Sequence, residues 1–195
     1  MSKYMEKLLA SKRVFVGKVV SLRVDTVELP GGREGTREVV EYPGAVAVVA
    51  VNGRGEVYLV RQYRHAVGME LLEIPAGKME KGEEAEVCAR RELLEETGCE
   101  AREVKPLLRF FSTPGFTTEE MHLFLASGLT EGKQNPDDDE FIDVEKVPLE
   151  RALEMVWSGQ ICDAKSVAGI LAAYGCLKGG RQESFGLEEN SFSLR

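Results

Sequence analysis

The chain has 195 residues, 43% of them hydrophobic, and a formal net charge of −8. That length suits one domain with additions, or two small ones, and needs no disulfide or metal staple to fold. The negative balance argues against a nucleic-acid backbone or an anionic membrane as the main partner, and two histidines, His65 and His122, exclude a multi-histidine metal site.

The charge is unevenly placed. Residues 70–100 hold ten acids and four bases, a net of −6, and residues 137–145 hold six acids and no base, again −6. The remaining 155 residues therefore carry +4. Two acidic deposits on a mildly basic background require a local explanation.

No apolar run follows Met1–Lys7, so no leader peptide is readable, and no stretch reaches the ~18 apolar residues of a membrane span. Cys88, Cys99, Cys162 and Cys176 form no C-x-x-C pair, which points to free thiols in a reducing, cytoplasmic setting. Along the chain, residues 14–29 read as strand and Pro30-Gly31-Gly32 as a turn. Arg37–Tyr42 and Ala45–Val51 read as further strands. Asn52-Gly53-Arg54-Gly55 signals a hairpin leading into a strand at Glu56–Arg64. Leu71–Ile74 is a short strand stopped by Pro75. Glu83–Thr97 reads as a helix with Gly98 at its C′ position. Leu107–Phe111, Met121–Ala126 and Phe141–Val147 read as strands. Helices follow from Pro148 to about Ser158 and over 164–177, the second capped by Asp163. The order of elements predicts an α+β domain with layered α/β/α architecture.

The helix over 83–97 is unusual. Glu92 and Glu96 stand four apart on one face and Glu95 flanks them, the three spanning an arc of about 100°. Like charges at this spacing cost a few tenths of a kcal/mol per pair, and the C-terminal end of a helix is the wrong end for anions. A divalent cation would compensate, taking carboxylate oxygens, water and substrate phosphates in an octahedron. A backbone carbonyl at Ala76 could add a rigid ligand. On the helix alone, a solvated acidic face answered by Arg91 or a lysine is the favoured reading.

The full spacing is more specific. Gly77, Glu83, Arg91-Glu92-Leu93, Glu95-Glu96 and Gly98-Cys99 follow G-x5-E-x7-R-E-U-x-E-E-x-G-U, where U is apolar, and this resembles the Nudix box. The resemblance implies a Nudix-type α/β/α sandwich. It also implies hydrolysis of a nucleoside diphosphate joined to another moiety, with two or three Mg²⁺ or Mn²⁺ ions. It makes Glu92, Glu96 and Ala76 metal ligands and Glu95 a ligand or water-positioning group. Gly77, Glu83, Arg91 and Gly98 become structural members of the box, with Arg91 and Glu83 bracing loop to helix.

Features outside the box resemble the ADP-ribose pyrophosphatase subgroup. Pro114 lies sixteen residues beyond Gly98. The run Arg61-Gln62-Tyr63-Arg64, then Glu70 to Gly77 with Glu73 on the substrate side, looks like that subgroup's approach to the box. Arginine suits a diphosphate because its fork makes charge-assisted bidentate bonds, and the resemblance has Arg64 holding phosphate with Arg61 nearby. Residues 1–42 resemble the subgroup's N-terminal β-extension, which builds a swapped homodimer and places Arg37 and Glu38 near the neighbour's adenosine. Residues 43–180 then form the hydrolase domain and 181–195 a flexible polar tail. The acidic loop 135–141 resembles the one that carries the general base, here Glu140 with Asp138 as the alternate. The expected reaction turns ADP-ribose into AMP and ribose 5-phosphate. Alternatives are a Nudix hydrolase of another nucleoside diphosphate derivative or a triphosphate, and a non-catalytic module that senses ADP-ribose. The three box glutamates and the lack of a basic patch count against the last.

Overall fold

The computed structural model describes residues 2–136 and 140–178. They divide into two compact units, 2–44 with 110–120, and 45–109 with 121–136 and 140–178. The expected tail, 181–195, lies outside the described residues.

The first unit is built on an antiparallel sheet in the order β1 (Lys7–Val16), β2 (Ser21–Glu28) and β3 (Glu34–Glu41). The strand expected over 14–29 is in fact the end of β1, a turn closed by the Gly17 N–H on the Val20 carbonyl (2.9 Å), and β2. The mixed apolar pattern concealed the break because the turn at Gly17–Val20 carries no strong local signal and apolar residues continue on both sides of it. β1 begins at Lys7, earlier than the sequence suggested, and every residue in it is exposed. The loop around Pro114 joins this unit through hydrogen bonds from Val40 N–H to the Phe116 carbonyl (2.7 Å) and from Tyr42 N–H to Thr118 Oγ1 (3.0 Å).

The second unit contains β4 (Ala45–Ala50), β5 (Glu56–Arg64), β6 (Met69–Glu73), β7 (Ala76–Lys78), α1 (Ala85–Thr97), most of β8 (Cys99–Phe111), β9 (Glu120–Glu131), β10 (Asp143–Pro148), α2 (Leu149–Trp157) and α3 (Ala164–Lys178). One sheet runs β7-β4-β9-β8 and a second runs β10-β5-β6. β4 and β9 are parallel, with Ala45 opposite Met121 and Ala50 opposite Ala126. All six residues of β4 are buried, as a strand covered on both faces requires. Val46, Val48 and Ala50 pack with Cys88, Ala89 and Leu93 of α1. The alternate face meets α3, where Gly169 fits against Val49 and Ile74. This is the expected α/β/α layering.

The Asn52–Gly55 turn forms, with Asn52 N–H on the Glu56 carbonyl (3.0 Å). It does not produce a paired hairpin. Only Val51 and Val57 bridge, and β4 and β5 go to different sheets. A turn signal specifies a reversal but not which edge the next strand joins. Short β7 escaped the sequence because Ala76-Gly77-Lys78 has no β-propensity. Its three residues pair with Ala47, Val46 and Ala45 of β4. No helix among the described residues is long and apolar enough to cross a membrane.

Candidate active site

Helix α1 buries Ala89, Leu93, Glu96 and Thr97. Glu96 thus occupies a position on the core face where its spacing calls for an apolar residue. It is 2% exposed, and one carboxylate oxygen accepts the Ala76 N–H of β7 at 3.0 Å. Burial pushes its carboxyl up to about 8. The Ala76 N–H opposes the rise, and the nearby charges of Glu92 and Glu140 add to it. A carboxylate buried with one neutral donor is a costly arrangement unless a cation joins it.

Glu92 lies directly over β7. A Cβ added at Gly77 would fall 1.9 Å from the Glu92 carboxyl carbon, so the box glycine here is the seat of that carboxylate. Burial also raises the Glu92 carboxyl, offset in part by Arg91 and increased by Glu95 and Glu140. Arg91 is the local counter-charge. Its Nη1 donates to Glu92 (2.8 Å) and Glu95 (2.9 Å), and its Nε and Nη2 donate to the two oxygens of Glu83 (2.9 and 3.1 Å). Arg91 and Glu83, the pair expected to brace loop to helix, are thus in contact. The Arg91 bonds, with help from the Glu80 N–H, hold the Glu83 carboxyl down at about 2. Among the described residues no three His, Cys, Asp or Glu side chains are drawn together tightly enough to form a ready cation cage. The donors are nonetheless all oxygen, anionic and partly desolvated, which is the chemistry of a hard divalent cation.

The end of α1 is tied down by Gly98, as its spacing predicts, and by Gln134, which sequence reasoning passed over. Gly98 takes a left-handed conformation with φ 71°, and its N–H caps the Leu94 carbonyl at 2.8 Å. The Gln134 side-chain amide donates to the Glu96 carbonyl (2.6 Å) and the Asn135 N–H to the Glu95 carbonyl (3.0 Å). A side chain at Gly98 would collide with the Gly132 carbonyl and Gln134 N at 2.8 Å. The glycine thus serves both the turn and the docking of the segment that leads to the acidic loop.

Arg64, at the end of β5, donates Nε and Nη2 to the two oxygens of buried Glu73 (2.9 and 2.7 Å). Lys165 of α3 makes a second ion pair with Glu73. Burial raises the Glu73 carboxyl, and the two cations more than offset this, leaving it below the ordinary carboxylate value. Glu73 therefore lies behind Arg64, its oxygens already engaged. Arg61 pairs with Glu145 (2.7 Å) and, with Tyr63, Glu70, Glu140 and Phe141, lines an open cavity of about 490 Å³. Asp138 lies outside the described residues. Arg37, Glu38 and Pro114 are exposed in the first unit, where Arg37 is paired with Glu6. The four cysteines are free, and burial pushes the Cys88 thiol up to about 12.

The NUDIX domain model matches residues 41–167, and the nucleoside diphosphate sugar hydrolase N-terminal domain model matches residues 6–40. An ADP-ribose pyrophosphatase of Bacillus subtilis is 47% identical over 85% of this chain and 90% of its own length. A methanol dehydrogenase activator of Bacillus methanolicus is 43% identical over 86% of this chain and 91% of its own. Among solved structures, an ADP compounds hydrolase superposes with a TM-score of 0.82 over 92% of this chain and 97% of its own, at 21% identity. The chain belongs to the Nudix family.

The Arg91–Glu83 brace gives a pH-dependent expectation. The folded-state pKa of Glu83 is depressed, so its stabilisation is full above the ordinary value and lost as pH falls toward about 2. In thermal melts Glu83→Gln should lower Tm at pH 7, and the gap to wild type should shrink steadily between pH 5 and 3. A gap independent of pH would show that charge pairing at Glu83 is not what holds the loop.

Proposed function

We propose that this chain hydrolyses the diphosphate linkage of ADP-ribose, or of a closely related ADP-sugar, to AMP and ribose 5-phosphate. The observation that carries the proposal is the convergence of Glu92 and Glu96 on Ala76–Gly77, within electrostatic reach of Glu140. The Bacillus subtilis relative, named for ADP-ribose, supports the substrate class. Glu92, Glu96 and the Ala76 carbonyl would hold Mg²⁺ or Mn²⁺, in two or three ions, with Glu95 as a further ligand. Such a cation neutralises diphosphate charge and lowers the pKa of a bound water.

The protein groups then divide the remaining work. Glu140 accepts the proton of the attacking water, with Asp138 as the alternate acceptor. The water oxygen bonds to phosphorus as the bridging P–O bond breaks. Arg64 meets the phosphate oxygens with the part of its guanidinium that Glu73 leaves open, and Arg61 borders the cavity beside Glu140. Glu73 acts through Arg64. In the homodimer proposed below, Arg37 and Glu38 serve the adenosine of the neighbouring copy, and Pro114 is a further substrate-binding candidate. An acidic protein can bind an acidic substrate because the metal inverts the local sign.

With Mg²⁺ and ADP-ribose, Glu96→Gln should cut kcat by about 100-fold or more while the circular dichroism spectrum is retained. Chromatography of the wild-type reaction should show AMP and ribose 5-phosphate. Normal turnover by Glu96→Gln would overturn the cation assignment, and release of product only from triphosphates would overturn the substrate.

The proposed working form is a cytoplasmic homodimer. Leu8, Phe15, Val16 and Val19 are all exposed on or beside β1. Exposed apolar side chains on an edge strand favour association, and a second copy supplies a matching edge. Sedimentation equilibrium should give twice the 21.6 kDa chain mass, and Phe15→Lys with Val16→Lys should give the monomer. A wild-type monomer at micromolar concentration would contradict this.

A further inference from the structure

The second unit holds a chain of four charges that the proposed chemistry uses only at one end. Arg64 grips Glu73 with two hydrogen bonds, Lys165 pairs with Glu73, and Lys165 Nζ also donates to Asp163 at 2.9 Å. The signs alternate, and Glu73 is the most buried member of the row. The side chains of Glu73, Lys165 and Asp163 are 1%, 14% and 15% exposed, and that of Arg64 is 39%. The row therefore ends at the surface on a cation.

Its other end is fixed at the start of α3. Asp163 accepts the Ser166 N–H at 3.2 Å, as an N-cap does. Ser166 Oγ in turn accepts the Ile74 N–H at 2.8 Å, which ties the start of α3 to the residue after Glu73. The second Asp163 oxygen, Oδ1, is buried with no hydrogen-bond partner, and Lys165 is the cation that contacts both carboxylates.

Arg64 and Glu73 by themselves form a neutral pair, and a neutral pair pulls weakly on an anion. Lys165 draws part of the Glu73 charge to itself, and this leaves Arg64 with a positive field toward solvent. It also holds the Glu73 carboxylate in the plane that the arginine fork needs.

We propose that Lys165 is a positioning residue for substrate diphosphate, acting through Glu73 to keep Arg64 oriented and electropositive. This rests on the hydrolase function proposed above. If Lys165 instead served only to neutralise buried carboxylates, its loss would lower stability and leave substrate affinity alone.

Steady-state kinetics with ADP-ribose, paired with calorimetric titration of ADP in Mg²⁺ buffer, separates the two roles. Lys165→Met should raise KM by about 10-fold with kcat within about 2-fold, and ADP affinity should fall in parallel. Lys165→Arg should restore both. Lys165→Gln, which keeps a donor without charge, should behave as Lys165→Met and serves if the methionine variant does not fold. In an Arg64→Ala background, Lys165→Met should add nothing. Unchanged KM and ADP affinity, or an equal rise with and without Arg64, would overturn the proposal. A wild-type protein that binds ADP but does not cleave ADP-ribose would sink the hydrolase function instead, and the ADP titrations would still decide the role of Lys165.

Discussion

The structure depends on a carboxylate kept where a carboxylate is costly. Glu96 sits on the core face of α1, 2% exposed, with the Ala76 N–H as its hydrogen-bond donor. Glu92 and Glu95 crowd the same helix end, where the peptide dipole is negative. The protein meets this stress locally in two ways. Arg91 shares its guanidinium among Glu83, Glu92 and Glu95. The last carbonyls of α1 are capped by Gly98, Gln134 and Asn135, which places donor dipoles beside the carboxylates. Arg91 does not reach Glu96, whose carboxyl stays raised to about 8. On the proposed chemistry a divalent cation completes the balance, and the cost of burying Glu96 is the cost of a prepared metal seat.

The surrounding fold can be read as what this seat requires. A buried parallel pair, β4 and β9, gives a rigid floor. The short β7, hydrogen-bonded to β4, carries Ala76 and Gly77 to the carboxylates, and the absence of a side chain at Gly77 lets Glu92 lie against the backbone. On the other sheet, Arg64 at the end of β5 reaches Glu73 at the end of β6 through its side chain, and Lys165 of α3 makes a second ion pair with Glu73. On the proposed chemistry the molecule thus gathers carboxylates for a cation, and Arg64, backed by Glu73 and Lys165, for the phosphates. These correspond to the two signs that the uneven charge distribution first suggested.

The box helix and its glutamates were legible in the sequence because their spacing is local and chemically unusual. Gly98 was legible as a C′ residue, though not as the seat of the 132–134 backbone, which only the fold brings there. Most strand positions followed from β-branched runs. The division of 14–29 into two strands did not, because a turn at Gly17–Val20 lacks a strong local signal. The Asn52–Gly55 turn was recognised, but the two sheets its strands enter are chosen by long-range packing. Arg64 and Glu73 were both singled out, yet their mutual contact, and the part played by Lys165 about ninety residues later, are products of tertiary structure. Gln134 was missed because a lone glutamine in a polar loop carries no sequence signature.

The central claim is that Glu96 is buried in order to hold a divalent cation. Titration of the protein with Mn²⁺, with the free ion followed by electron paramagnetic resonance at pH 8, tests it without requiring turnover. The account predicts saturable binding by the wild type and at least one site lost or strongly weakened in Glu96→Gln. Equal stoichiometry and affinity in the two proteins would contradict it.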